Sequence, residues 1–354
     1  MVLGTVFASV GLVAAGFLSL TPLGRYVARA GFEEAKILSR RRPIATVIAD
    51  SATDPALRGK LVLVQGARQF AIDRLGLRAG KSFTQFAQLD RDTLVLVVSA
   101  AYPDRLELKS WWFPVVGRFP YKGFFDFGKA RKTAAELKRD GLDVRMGPSS
   151  AFSTLGWFND PLVSTTAKLD STSLANTVIH EITHSTFFAK GQVSFNETFA
   201  TFVGGRGAIA YFESVGDSVN AERARADWRD ELRLAAFWGA LASELQGAFD
   251  SLPPDAREPR LAARARIFEA AQRRLVDSIG PTLETTPPGW ASRIVLDNAI
   301  VLARRVYANR LDAFDTLFER EGRDLPKAIQ RVIALAKSRP DDPMAAVTEA
   351  AAAP

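Results

Sequence analysis

Both histidines of this 354-residue chain fall in one pentapeptide, His180-Glu181-Ile182-Thr183-His184, and no other pattern in it restricts the fold as tightly. On an α-helix, residues four apart are separated by about 40° around the axis, so both imidazoles leave one face and can share one metal ion. Glu181 lies about 100° from His180, close enough to reach a water beside that ion without being a ligand itself. The opposite face carries Leu174, Val178, Ile182 and Ala189, an apolar stripe that seats the helix in a core. Two incidental histidines would not bring the whole histidine content of a chain to ligand spacing with a Glu in the general-base position.

A catalytic metal needs a third protein ligand and an open position. The chain has no cysteine and no third histidine, so the remaining ligand is a carboxylate. Glu197 stands thirteen residues beyond His184, after a Lys190-Gly191 break that turns the chain into a new helix. The helix line through Glu197 continues with Ala200, Thr201, Gly204 and Ala208, small residues that let two helices approach closely. Two imidazoles and a carboxylate with an open site suit Zn²⁺ best, with Mn²⁺ and Fe²⁺ also compatible by ligand type.

Around this motif the chain reads as helices, a sheet, then many helices, an α+β class. Helices broken at Pro43 cover 21 to about 75, strand-like runs cover 93–98, 106–113, 119–125 and 142–146, a helix covers 129–139, and helices dominate from Ser173 to Pro340. The metal-binding body is therefore placed at 21–338, with a sheet-containing half at about 21–190 and a helical half at about 191–338, followed by a flexible tail at 339–354. Residues 1–20 are uncharged and almost wholly apolar, about 30 Å of helix, and predict a single membrane passage, with a cleaved signal segment or a core helix as the alternatives. The net charge of +7 does not predict nucleic-acid binding, because the arginines are interleaved with acids along helices, as in 221–231. Composition is ordinary for a globular protein, with no repeat. The oligomeric state is not legible.

Beyond the metal motif, the stretches 41–44, 117–125, Phe152-Ser-Thr-Leu-Gly-Trp-Phe158, Phe195 to Gly204 and Asn298 to Phe314 resemble the bacterial predicted zinc aminopeptidase family, a gluzincin-type group. The resemblance runs from about residue 22 to 336. It implies a zincin-like fold with a mixed sheet, His180, His184 and Glu197 as zinc ligands, Glu181 as general base and a peptide substrate cleaved from its amino end. It also implies an oxyanion donor on the late helix, where Tyr307 falls, with Tyr121 as the competing phenol. Tyr26 and Tyr211 are placed less well. Two departures stand out: the family's lipid-bearing Cys is replaced here by Leu18-Ser-Leu-Thr-Pro22, and the Asp that orients a metal-bound histidine in thermolysin-like relatives is Thr201. Basic residues after the apolar segment favour a cytoplasmic body, whereas the resemblance places it on the extracytoplasmic, periplasmic side of the membrane.

The stretch 150–158 is expected to present backbone groups to an extended peptide. A carboxylate for the substrate amine is also expected, and the sequence leaves it open among Asp160, Glu213 and others. An endopeptidase and a non-catalytic, metal-stabilised envelope scaffold are the competing readings.

Overall fold

The computed structural model describes residues 20–93, 95–113, 117–148 and 161–353. Helix starts follow local capping chemistry. Thr21 accepts from the Gly24 amide at 2.9 Å to open α1 (Pro22–Ser39). Past the strand β1 (Arg41–Pro43) and the short α2 (Ile44–Ala49), Asp54 accepts from the Leu57 amide at 3.0 Å and Pro55 sits in the first turn of α3 (Pro55–Asp73).

The strands follow: β2 (Gln85–Ala87), β3 (Leu96–Ala101), β4 (Trp111–Phe113), β5 (Gly117–Phe119), β6 (Tyr121–Phe124) and, after α4 (Phe127–Arg139), β7 (Asp143–Pro148) and β8 (Leu162–Val163). Among the described residues they form small sheets. In the first, β2 pairs antiparallel with β1, Phe86 opposite Arg42, and parallel with β8, Phe86 opposite Leu162. In the second, β3 lies between β6 and β7, with Val98 opposite Lys122 and Met146, and α4 packs Ala130, Ala134 and Leu137 against Val98, Ala100 and Phe124. Strands β4 and β5 form a separate antiparallel pair, with Trp111 opposite Phe119 and packed against the core of the second sheet.

Helices make up the rest: α5 (Ser171–Thr186), α6 (Val193–Ser214), α7 (Ser218–Asp250), α8 (Arg257–Arg273), α9 (Trp290–Arg293), α10 (Asn298–Ala308), α11 (Leu311–Arg320), α12 (Leu325–Ser338) and α13 (Pro343–Ala352). One core joins α3, α5, α6 and the start of α7 to α11 and α12, centred on Phe195, Phe199, Phe202 and Phe314. A second core is built from the far half of α7 with α8, α9 and α10, around Trp238, Leu241, Leu245 and Val301. Helices α5 and α6 pack side by side in the first core, and their exposed edge carries the site.

Several expectations need correction. Among the described residues no helix is long and apolar enough to cross a membrane. The single N-terminal membrane helix expected at 1–20 falls on residues 1–19, outside those described, and α1 cannot take its place. That helix carries Arg25, Arg29, Glu33, Glu34 and Lys36, buries Ile37 against the body, and ties Glu33 to Arg91 at 3.1 Å. The reading of a membrane-anchored, extracytoplasmic protein is set aside with it.

The tail expected to be flexible at 339–354 instead forms α13. Asp342 accepts from the Ala345 amide at 3.0 Å, Pro343 follows the cap, and Val347 is fully buried. An Ala-rich segment with few large side chains reads as frayed in isolation, yet its small apolar face docks on α11 and α12. The run expected at 119–125 is two strands, because Pro120 has no amide to donate and the chain changes partner there. The helices expected over 21–75 do part at Pro43, but the break is a strand, Arg41–Pro43, exposed at the sheet edge and paired with β2.

Candidate metal centre

Asp170 opens α5 by accepting from the Ser173 amide at 3.0 Å. Leu174, Val178, Ile179 and Ile182 are fully buried, which anchors the inner face and leaves His180, Glu181 and His184 along the edge. The helix ends at Thr186, and the chain turns at Gly191, whose φ of 78° favours a residue without Cβ. Asn196, 2% exposed, then clamps the turn: its Oδ1 accepts from the Ala189 amide at 2.8 Å and its Nδ2 donates to the Ala189 carbonyl at 2.8 Å. Glu197 is the next residue, so the clamp fixes where its carboxylate emerges.

Glycines set the distance between the two helices. A Cβ on Gly204 would lie 2.3 Å from Asn176 Oδ1 and 3.1 Å from the His180 Cβ, and one on Gly207 would lie 2.9 Å from Ile179 Cγ2. No side chain fits there with α6 in place. Of the line of small residues read from the sequence, Gly204 lies in the contact seam between α5 and α6, joined there by Gly207, which that line did not include.

The seam brings His180, His184 and Glu197 together, with one ligand atom from each lying within 4.8 Å of the others. The two Nε2 atoms are 3.2 Å apart, and Glu197 Oε2 is 3.4 Å from His180 Nε2 and 3.7 Å from His184 Nε2. Metal–ligand bonds of about 2.0–2.2 Å in tetrahedral geometry place ligand atoms about 3.3–3.6 Å apart. The three edges bracket that range, within about 0.1 Å at either end, so the triangle is close to one tetrahedral face around a zinc-sized ion, and the donor set suits that ion.

The closeness of the three groups also sets their electrostatics. Burial resists ionisation of Glu197, but the two imidazoles outweigh it and hold the carboxyl at about 2. His184 is shifted upward: burial opposes its protonation, and the Glu197 carboxylate, aided by Glu181, overcomes it. Glu181 is thus close enough to His184 to act on it electrostatically.

The two phenols separate. Tyr121, at the start of β6, has its pKa raised first by burial and then by the Glu197 charge, so its hydroxyl lies in the field of the site although the side chain is 43% exposed. Tyr307 lies on α10, which meets the start of α6 where the Ser194 hydroxyl donates to the Arg305 carbonyl at 3.4 Å, and its side chain is outside the described residues. Tyr26 and Tyr211 belong elsewhere, against Phe113 and Phe124 and against Phe70 and Phe212 respectively. The peptide-binding stretch expected at 150–158 and Asp160 also lie outside the described residues, and Glu213 is committed to Arg225 at the far end of α6.

Sequence reasoning missed Asn196, whose clamp only the turn reveals, and an acidic cavity. Asn176, His180 and Thr201 are among its lining residues, and it runs between α5, α6 and α7.

No curated protein and no solved structure matches this chain. The model of one protein family does, over residues 25–346, which span the sheets, the His180/His184/Glu197 cluster and all but the last helix turns. The chain belongs to the family described as "Putative aminopeptidase".

Proposed function

We propose that this protein is a zinc-dependent aminopeptidase with a zincin-like fold, holding its ion through His180, His184 and Glu197. The observation that carries the reading is the ligand triangle, with edges of 3.2, 3.4 and 3.7 Å and a general-base candidate on the same helix. Structural zinc sites usually have four protein ligands, and among the described residues only three converge here. An open position favours catalysis over the scaffold reading. A zinc ion held there would act as a Lewis acid on the scissile carbonyl and lower the pKa of an adjacent water toward about 7.

The chain's own residues supply the rest. Glu181 accepts the proton of the attacking water and passes it to the leaving amine. A phenol, Tyr121 or Tyr307, donates to the oxygen that gains charge at the tetrahedral stage. Asn196 and the Gly204 seam hold the ligands in register, so that no rearrangement is needed as charge develops. Family membership supports cleavage at the amino end of a peptide.

The test is metal content combined with hydrolysis of aminoacyl and internally cleaved peptides, for the parent and for Glu181→Gln. About one Zn²⁺ per chain is expected in both, with turnover of aminoacyl substrates falling by about 10²- to 10⁴-fold in the variant. Zinc-loaded parent protein that cleaves no peptide would establish the scaffold reading.

A further inference from the structure

One turn of α7 carries Asp227, Asp230 and Glu231, and all line the cavity of about 380 Å³ that shares His180 in its wall. Two of these carboxylates are already committed. Asp230 is 3% exposed and accepts from the amides of Glu284 at 2.9 Å and Thr285 at 2.8 Å and from the Thr285 hydroxyl at 3.0 Å, which pins the segment closing the far side. Asp227 accepts from the Thr172 hydroxyl at 2.7 Å and from Arg223 Nε at 3.3 Å.

Glu231 differs. Among the described residues no hydrogen bond supports its carboxyl; burial pushes its pKa up, and only the Arg304 charge pulls the other way. Arg304 is itself poorly served, its charged form disfavoured by burial and by Arg145, and its Nε is buried without a partner. A carboxylate in such surroundings gains most from a cation that brings N–H donors with it.

We propose that this cavity receives the amino-terminal residue of the substrate and that Glu231 accepts hydrogen bonds from its free α-ammonium. The inference deepens the aminopeptidase reading and rests on it. An ammonium brings a full charge and three donors, the groups that Glu231 lacks. Consecutive Cα atoms are only about 3.8 Å apart, so the amine of a peptide cleaved after its first residue must sit next to the metal. A cavity walled by His180 meets that requirement. Glu213, paired with Arg225 beyond the far end of the seam, does not.

The experiment is calorimetric titration of the zinc-loaded full chain with L-leucinamide, Nα-acetyl-leucinamide and Nα-acetyl-lysinamide. Leucinamide should bind at least about tenfold more tightly than either acetylated probe, the scale of one charge-assisted hydrogen bond. Glu231→Gln should reduce that preference to within about twofold with zinc content unchanged, while Asp227→Asn keeps it. Should Glu231→Gln fail to fold, Glu231→Asp, which keeps the charge but withdraws it by one methylene, should show an intermediate preference. Equal binding of leucinamide and its acetyl derivative, or a preference untouched by the Glu231 variants, overturns the proposal. Tightest binding of Nα-acetyl-lysinamide also overturns it, since the pocket would then take a side-chain amine. Amine binding that depends on Glu231 in a protein that hydrolyses no peptide would remove the peptidase reading and leave the amine site. Peptide turnover without this selectivity would do the reverse.

Discussion

Two glutamates near one site, Glu197 and Glu231, have opposite protonation behaviour, and their surroundings assign it. Glu197, between two imidazoles, is held ionised to about 2, while Glu231, whose carboxyl accepts no hydrogen bond among the described residues, is pushed upward by burial, and Glu181 stands beside His184 on the ligand helix. Single-residue chemistry of this kind was partly legible. The helical period alone brought His180 and His184 to one face with Glu181 in reach; the absence of cysteine and of further histidine pointed to a carboxylate, and the Lys190-Gly191 break singled out Glu197. Glu231 was not legible, because its isolation depends on which donors Asp227 and Asp230 have taken from distant segments. The phenol also depends on tertiary placement. Since Tyr121 lies in the field of Glu197, Tyr121→Phe is expected to lower kcat by about 10²-fold or more with KM and zinc content nearly unchanged, because an oxyanion donor acts in the transition state. Tyr307→Phe, assayed alongside, should then lose little. A kcat loss confined to Tyr307→Phe would move the role to α10.

At the scale of elements, the site is a seam between two helices, and the seam is made of absent side chains. Spacing alone suggested the line through Thr201, Gly204 and Ala208, but spacing does not state a distance. The 2.3 Å approach of a Gly204 Cβ to Asn176 Oδ1 does. Gly204→Ala should therefore cost about 1–3 kcal/mol by overpacking and weaken zinc retention as well, since α6 must shift to admit the methyl and Glu197 moves with it. Gly239→Ala is the control: the position is exposed on α7 with nothing within 4 Å of the added methyl, and Ala there should stabilise by about 0.4–1 kcal/mol with zinc binding intact. Thermal unfolding and metal retention under a chelator, measured on both variants, separate helix propensity from seam geometry. Equal zinc retention in Gly204→Ala and the parent would show that Glu197 reaches the ion without the close approach.

Across the whole molecule, α7 links the two cores, with Trp228 in the one that holds the site and Phe237 to Phe249 in the other. Asp315 on α11 joins it to α6, accepting from Trp228 Nε1 at 3.1 Å and from Arg206 Nε at 2.8 Å. The order of helices, sheet and helices was legible from periodicity, since long amphipathic runs announce themselves. What lies at the chain's end was not, because a ten-residue Ala-rich helix has little pattern of its own and forms by docking. Docking brings Val347 to full burial in the main core and sets Arg320 Nη1 3.0 Å from the Ala350 carbonyl, with Arg339 and Glu349 paired at 2.8 Å. Ending the chain after Ser338 should then destabilise it by about 2–4 kcal/mol, since burying one Val side chain contributes about 1.5–3 kcal/mol and the smaller apolar residues add to it. The main core would lose its cover over α11 and α12, and the ligand helices α5 and α6 would stay packed on each other. A lowered unfolding temperature with about one Zn²⁺ per chain still bound is the expected result. An unchanged unfolding temperature would mean that the segment is loosely attached, as its composition alone suggests, and loss of zinc would mean that the packing of α11 and α12 reaches the ligand seam.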